Sequence, residues 1–184
     1  MTDQPPTALP ASGLAETILR RLGAAQATVA TAESLTGGLV AAALTDVAGA
    51  SAFFRGGIVC YATDLKASLL GVPRSLLETA GAVDPRVATA MARSVADVCG
   101  ATYGVATTGV AGPDPQDGKP VGLVYVAVAR AGAPAEDCHV RELWLHGSRG
   151  TIRAEAVRGA LTLLDTVLDT TGTGSLATRP ASGS

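Results

Sequence analysis

The stretch from Thr28 to Gly38, TVATAESLTGG, joins a short β-branched run to small polar residues and a pair of glycines. The run predicts a strand, the glycine pair predicts a tight turn, and the apolar residues from Leu39 to Leu44 predict a helix. A hydroxyl on such a turn lies near a helix N-terminus, where backbone N–H groups can bind an anion or an oxyanion. Ser34 is therefore the first candidate for chemistry. The alternative is that Ser34 or Thr36 only caps the helix.

The composition limits the class of protein. The 184 residues suit one domain, and 47% hydrophobic residues with 16% charged residues are enough for a substantial core. A net charge of -2, with 3% aromatic residues and no basic block, argues against nucleic acid binding. The N-terminus lacks a signal-peptide layout, and no apolar run reaches the roughly 18 residues that span a bilayer. We therefore expect a cytoplasmic protein that binds neither nucleic acid nor membrane.

The cysteine and histidine content does not suggest a metal site. Cys60, Cys99 and Cys138 are widely spaced and form no CxxC pair, so the pattern indicates neither a disulfide framework nor zinc. The two histidines, His139 and His146, have no diagnostic spacing to a serine. A Ser/His/Asp triad stays open, although nothing in the sequence favours it. We expect no metal and no other cofactor.

The rest of the chain alternates between strand and helix patterns. Further strands are predicted at residues 53–60, 103–108, 122–129 and 138–145. Helical segments are predicted near residues 14–22, 63–70, 73–79, 85–98 and 151–168. The sum is one three-layer α/β/α domain of the α/β class over residues 12–170, with a mixed sheet of about five strands. The polar stretches 1–11 and 171–184 are predicted to be disordered tails.

Two further features could bind an anion. The loop from Thr107 to Gly112, TTGVAG, leaves a strand and could wrap a phosphate with its backbone N–H groups. A plain turn explains the same residues. Arg149 and Arg153 are four residues apart at the start of the last helix, so they share a face and could bind a phosphate. The alternative for them is an ordinary solvated helix face.

A serine nucleophile also needs a base that takes the hydroxyl proton. Lysine can serve if burial lowers its pKa, and Lys66 stands close to Tyr61 in the chain. The alternative is that Lys66 extends into solvent while Tyr61 fills the core. No SxxK pattern surrounds Ser34, so a serine–lysine pair would have to join distant segments.

Several motifs, taken in order, carry a family resemblance. The segments are TAESLTGGLVAAALTDVAGASAFFRGGIVCYATDLKASLLGV, then GAVDPRVATAMA, then TTGVAGPDPQDGKPVGLVYVAVA. They resemble the C-terminal domain of the competence/damage-inducible protein CinA, the PncC-type nicotinamide mononucleotide (NMN) deamidase family, over roughly residues 12 to 168. The resemblance implies an amidohydrolase that converts NMN and water to nicotinic acid mononucleotide and ammonia, without a metal, in NAD recycling.

The resemblance also implies roles for individual residues. The serine of the AES-x-TGG motif falls on Ser34 as the nucleophile, and the lysine of Y-x-x-x-x-K falls on Lys66 as the general base, with Tyr61 positioning the pair. The GxAGP loop would hold the nucleotide and could also bind the oxyanion, for which backbone N–H groups of the Gly37–Gly38 turn are the first candidates. Arginines of the last helix would hold the phosphate, and Glu33 would orient the site. The implied substrate-binding set is Glu33, Thr36, Gly37, Gly38, Thr108, Gly109, Ala111, Gly112, Arg149 and Arg153.

Two other classes of function compete with an enzyme. One is a catalytically silent nucleotide-binding or regulatory module of the same fold, which has no need to keep Ser34, Tyr61 and Lys66 together. The other is a competence-related accessory protein, which predicts a basic surface that this composition does not supply. The sequence lacks the molybdopterin-binding-like N-terminal domain of longer family members, so we expect no activity belonging to that domain. The family also implies a homo-oligomer, a dimer or larger.

Overall fold

The computed structural model of the protein describes residues 11–173. Six helices and five strands follow one another along that range as α1 Ala11–Ala24, β1 Val29–Glu33, α2 Leu39–Thr45, β2 Phe54–Val59, α3 Thr63–Leu70, α4 Arg74–Ala80, α5 Pro85–Cys99, β3 Tyr103–Gly109, β4 Leu123–Arg130, β5 His139–Trp144 and α6 Arg149–Thr173. Short 3-10 turns lie at Ala50–Ala52 and Ala135–Asp137. The elements match the predicted succession.

Each predicted tail includes residues that belong to a helix. Ala11 is the first residue of α1, which directly follows a proline in the sequence. Helix α6 continues through Thr173, because no glycine or proline ends it at Leu168, its last apolar residue. The remainder of the two predicted tails, residues 1–10 and 174–184, lies outside the described residues. Within the described range, no helix is both long and apolar enough to cross a membrane.

The five strands form one mixed sheet in the order β2-β1-β3-β4-β5. Strand β1 is parallel to both β2 and β3, whereas β4 is antiparallel to its neighbours β3 and β5. Glu33, the last residue of β1, pairs with Val59 of β2 and Thr107 of β3, so three carboxyl ends meet at one edge. The mixed sheet of the prediction is confirmed.

A separate apolar core covers each face of the sheet. One core packs α1, α2 and α6 with side chains such as Ile18, Leu161 and Leu164, and the other packs α3, α4 and α5 around Met91. Helix α5 lies so close to β3 that a Cβ on Gly104 would stand 1.9 Å from the carbonyl oxygen of Ala92, so only glycine fits there. The helices after β1 and β2 therefore lie on opposite faces, and their loops diverge at the carboxyl edge to leave a crevice.

Candidate active site

The turn that carries Ser34 begins where β1 ends. The Ser34 N–H donates to the Thr107 carbonyl at 3.0 Å, which continues the pairing with β3, and the Gly37 N–H donates back to the Ser34 carbonyl at 3.0 Å. Gly37 and Gly38 have φ values of 61° and 96°, a left-handed conformation that glycine adopts without strain. The predicted order of strand, tight turn and helix is confirmed.

The carboxylate of Glu33 caps helix α2, so neither hydroxyl of the turn does. Its oxygens accept hydrogen bonds from the N–H groups of Gly38, Val40 and Ala41 at 2.8–3.0 Å and from the Thr36 hydroxyl at 2.7 Å. The capping alternative for Ser34 and Thr36 is wrong. The expected oxyanion role of the glycine turn is also wrong, because the Gly38 N–H is held by Glu33 and the Gly37 N–H by a carbonyl.

Lys66 lies beneath this turn, on the first turns of α3. Its side chain is 1% exposed, and its Nζ donates to Ser34 Oγ at 3.0 Å. The same Nζ donates to the carbonyl oxygens of Cys60 at 2.9 Å and Tyr61 at 3.5 Å. The alternative of a lysine extending into solvent is therefore wrong, and the two distant segments meet as a serine–lysine pair.

The surroundings of Lys66 favour the neutral amine. Burial lowers the pKa of Lys66 below its ordinary value of 10.5, because the ammonium loses its hydration. Weaker Coulombic effects of Cys60, Asp117 and Asp64 oppose that shift in the pKa. With two N–H bonds directed at the carbonyls, a neutral Lys66 points its lone pair at the Ser34 hydroxyl, which is the arrangement of a nucleophile and its base.

Tyr61 and Arg149 form a bridge above the pair. The Tyr61 side chain is 56% exposed, so the alternative that it fills the core is wrong. Arg149 donates through Nη2 to the Tyr61 hydroxyl at 2.6 Å and through Nη1 to the Gly112 carbonyl at 2.6 Å. This contact joins the loop after β2 to the glycine-rich loop after β3.

A cavity of about 90 Å³ lies between the nucleophile turn and these two loops. It is lined by Ser34, Leu35, Tyr61, Gly109, Val110, Ala111, Gly112, Asp114, Gln116 and Arg149. Sequence reasoning missed Leu35, Val110, Asp114 and Gln116, although Leu35 directly follows the nucleophile, Val110 lies within the glycine-rich loop and the other two follow it. A larger cavity of about 770 Å³ lies along α5, but none of the residues that line it belongs to the serine–lysine pair.

Comparisons with known proteins point to one family. The family model described as the CinA C-terminal domain matches residues 11–168. A CinA-like protein of Frankia casuarinae is 54% identical over 142 residues, which are 77% of this chain and 32% of that protein. A putative competence-damage inducible protein of Geobacillus kaustophilus is 45% identical over 148 residues, covering 80% of this chain and 35% of that protein.

The chain belongs to the CinA C-terminal domain family. It spans about a third of the length of the curated CinA relatives it matches. Solved CinA structures share its fold over nearly their whole length. The competence/damage-inducible protein CihA of Agrobacterium tumefaciens has a TM-score of 0.81 at 37% identity, with 92% of this chain and 99% of that chain covered. A CinA superfamily protein of Enterobacter cloacae reaches 0.84 at 28% identity, with 91% and 98% covered.

Three buried polar residues of the CinA motifs, Glu33, Thr36 and Thr108, lie next to the cavity walls but do not line the cavity. The Thr108 hydroxyl donates to the Ala82 carbonyl at 2.6 Å, and the Thr36 hydroxyl lies 2.7 Å from that of Thr107. Thr36, Thr108 and Glu33 are all at most 1% exposed. They therefore hold the backbone around the cavity and are not among the residues that line it.

The two arginines of α6 diverge although they start from one helix face. Arg149 reaches the cavity, whereas Arg153 donates to the carbonyl oxygens of Leu35 and Thr36 at 3.0 and 2.9 Å. Arg153 is not among the cavity-lining residues of this CinA domain.

Over residues 11–173, no three His, Cys, Asp or Glu side chains are grouped so that they could hold a metal ion.

Proposed function

We propose that this CinA-family domain is a nicotinamide-nucleotide amidase that hydrolyses NMN to nicotinic acid mononucleotide and ammonia by a serine–lysine mechanism. One observation carries the proposal: the buried Nζ of Lys66 lies 3.0 Å from Ser34 Oγ at the wall of a cavity. A hydroxyl paired with an amine of lowered pKa is the pattern of an activated nucleophile. The choice of NMN rests on the family resemblance.

The mechanism follows from the contacts of Lys66. The neutral amine takes the Ser34 proton while Oγ forms a bond to the carboxamide carbon, and the carbonyls of Cys60 and Tyr61 keep the amine oriented. The tetrahedral intermediate collapses as its C–N bond breaks, and the lysinium gives its proton to the departing ammonia. Water then attacks the acyl-enzyme, with Lys66 again accepting a proton, and the acid leaves as Ser34 regains its hydrogen. The positive charge of the pyridinium makes the carboxamide carbon more electrophilic.

The oxyanion needs donors that the fold has not already used. Among the described residues, the backbone N–H groups of Leu35, Ala111 and Gly112 donate to no other protein group, and all three residues line the cavity. Leu35 directly follows the nucleophile, the position that supplies one oxyanion donor in serine hydrolases with a strand-to-helix nucleophile turn. We therefore assign Leu35, together with the Ala111–Gly112 segment, to the oxyanion in place of the glycine turn.

The nucleotide portion of the substrate requires the bridge above the cavity to open. Small-molecule sites commonly occupy roughly 300–1,000 Å³, whereas this cavity holds about 90 Å³. Arg149 is exposed, and its two acceptors, a neutral hydroxyl and a neutral carbonyl, are weaker partners than a phosphate dianion. Arg149 is thus the residue that we assign to the phosphate, which would draw it away from Tyr61 and Gly112.

The test is ammonia release from NMN by the purified protein in the presence of a chelator. Ser34→Ala and Lys66→Met should each lower kcat by about 1,000-fold or more, because nucleophile and base act as one unit. Two matched variants control for unspecific effects: Ser68→Ala changes an exposed serine on α3, and Lys119→Met changes the only other lysine of the sequence. Both controls should keep the parent rate.

Other outcomes favour other functions. A parent protein that binds NMN without releasing ammonia would be better described as a nucleotide-binding or regulatory module. If Ser34→Ala retains its rate, the assigned nucleophile is wrong even if NMN is the substrate.

We also propose that the protein is a cytoplasmic homo-oligomer, a dimer or larger. Sedimentation that shows only monomer at working concentration would remove the oligomer from it.

A further inference from the structure

Arg153 stands out because its contacts do not fit the role expected of it. The family resemblance assigns both α6 arginines to the substrate phosphate, and both lie in the first two turns of that helix. A cation near a helix N-terminus is disfavoured by the helix dipole, so its placement there needs a compensating partner. No carboxylate pairs with Arg153 among the described residues. Its partners are instead the two carbonyls of the nucleophile turn.

Two of the five donors of Arg153, those on one edge of its guanidinium, are already used. A guanidinium binds a phosphate best through two parallel N–H groups of one edge. In Arg153 that edge consists of Nε and Nη2, which donate to the Leu35 carbonyl at 3.0 Å and the Thr36 carbonyl at 2.9 Å. A phosphate bound to this edge would have to break both contacts with the turn.

The turn is also shaped to receive this guanidinium. A Cβ on Gly37 would lie 3.3 Å from Arg153 Nη2, a contact tighter than side chains normally make, so the glycine leaves room for the arginine as well as allowing a φ of 61°. Because a peptide unit is planar, fixing the Leu35 carbonyl also fixes the direction of the Thr36 N–H. Arg153 thereby restrains the Leu35–Thr36 and Thr36–Gly37 peptide units, the second and third units after Ser34.

Glu33 holds other groups of the same turn, because its carboxylate accepts from the Thr36 hydroxyl and the Gly38 N–H. A buried anion and a partly buried cation thus hold the same short segment by different backbone groups. We propose that Arg153 is a positioning residue that holds Ser34 over Lys66, and that it does not bind the substrate phosphate. This inference rests on the proposed hydrolase function and assigns Arg149 alone to the phosphate.

The test compares Arg153→Met and Arg149→Met with two substrates, NMN and nicotinamide riboside, which lacks the phosphate. Arg153→Met should lower kcat by about 10- to 100-fold for both substrates, because a small displacement of the nucleophile acts on the chemical step. Its KM for NMN should stay within about threefold of the parent. Arg149→Met should raise the KM for NMN and have little effect on the KM for the riboside.

Two more variants separate positioning from loss of folding. Arg158→Met removes an exposed arginine further along α6 and should leave all constants unchanged. Arg153→Lys keeps the positive charge but lacks the two parallel N–H donors, so its kcat should lie between those of Arg153→Met and the parent. If Arg153→Met instead raises the KM for NMN, keeps kcat and leaves the riboside unaffected, Arg153 is a phosphate ligand and the inference is overturned.

A second measurement keeps this inference separable from the choice of NMN. A fluorophosphonate probe reacts when Ser34 Oγ forms a bond to phosphorus and fluoride leaves, with the hydroxyl proton passing to Lys66. Slower labelling of Ser34 in Arg153→Met, with Arg158→Met at the parent rate, supports the positioning role even if NMN is not hydrolysed. Equal labelling rates in all three proteins overturn it. A parent that neither reacts with the probe nor hydrolyses NMN would overturn both proposals.

Discussion

Lys66 carries the acid–base chemistry of the proposed reaction, and its burial sets the pH range in which that chemistry works. A lysine in water is protonated at neutral pH and cannot accept the Ser34 proton. Lys66 is 1% exposed, so its amine loses most of its hydration. Two backbone carbonyls accept hydrogen bonds from it, but no carboxylate of the described residues lies within hydrogen-bond distance. The lowered pKa is therefore a property of the site geometry, not of the residue type.

The pH dependence of kcat/KM should follow this group. In the free enzyme the base must be neutral, so kcat/KM should rise with pH and level off at an apparent pKa below the ordinary 10.5 of lysine. The phosphate of NMN itself titrates at about pH 6, so the profile is repeated with nicotinamide riboside. A plateau reached only above 10.5 would contradict the assignment of Lys66 as the base.

Helix α2 depends on a single buried side chain for its start. Four donors converge on the carboxylate of Glu33, three of them the N–H groups of Gly38, Val40 and Ala41 at the N-terminus of the helix. An anion at this end also interacts favourably with the helix dipole. The cap therefore fixes where α2 begins and, through the turn, where Ser34 lies.

Glu33→Gln should destabilise the protein by about 2–4 kcal/mol. The amide keeps one acceptor oxygen, and its NH₂ group would face N–H donors of the helix, leaving buried groups unsatisfied. Urea unfolding measures the loss. The control is Glu78→Gln, which changes an exposed glutamate on α4 and should alter the free energy of unfolding by no more than about 0.5 kcal/mol. Equal stability of the two variants would show that the cap contributes little.

The elements could be predicted from the sequence, but the partners of their side chains could not. Apolar patterns located the elements because the central strands β1, β3 and β4 are buried on both faces and read as continuous apolar runs, whereas each helix buries one face. The same reasoning placed Arg149 and Arg153 together, since they are four residues apart. In the structure, Arg149 reaches the cavity, whereas Arg153 binds the turn that carries Ser34. That divergence depends on where the loops after β1 and β3 lie. Helical spacing alone does not contain this information.

The site is a property of the whole sheet and not of any one motif. Ser34 follows β1, Lys66 follows β2, and the glycine-rich loop follows β3, and parallel pairing brings these three carboxyl ends to one edge. Sequence reasoning named all three segments but left a solvent-exposed Lys66 open as the alternative, because burial of a lysine is costly unless the fold compensates for it. The resemblance to CinA pointed to the pair, and the topology supplies its physical reason.

Burial of Lys66 should also leave a signature in the stability of the whole molecule. Between its lowered folded pKa and the ordinary 10.5, the unfolded chain binds one more proton than the folded chain, so this group makes stability rise with pH in that window. Below the folded pKa both states are protonated and the contribution is flat. Other groups act in the opposite direction at alkaline pH, because burial raises the pKa of Cys60 above 9.0 and that of Tyr125 to about 12.

The contribution of Lys66 is isolated by subtracting the unfolding free energy of Lys66→Met from that of the parent at each pH. The raised pKa keeps Cys60 mostly protonated up to pH 9 in the folded state of both proteins, and its ionisation in the two unfolded chains cancels on subtraction, so the difference from about pH 6 to pH 9 reports Lys66. We expect it to increase with pH in the parent's favour, by at most about 1.4 kcal/mol per pH unit. Lys119→Met, measured in the same way, should show no slope there. A flat difference for Lys66→Met would mean that the folded pKa of Lys66 lies above this pH range, and the neutral amine that the proposed base requires would be scarce near neutral pH.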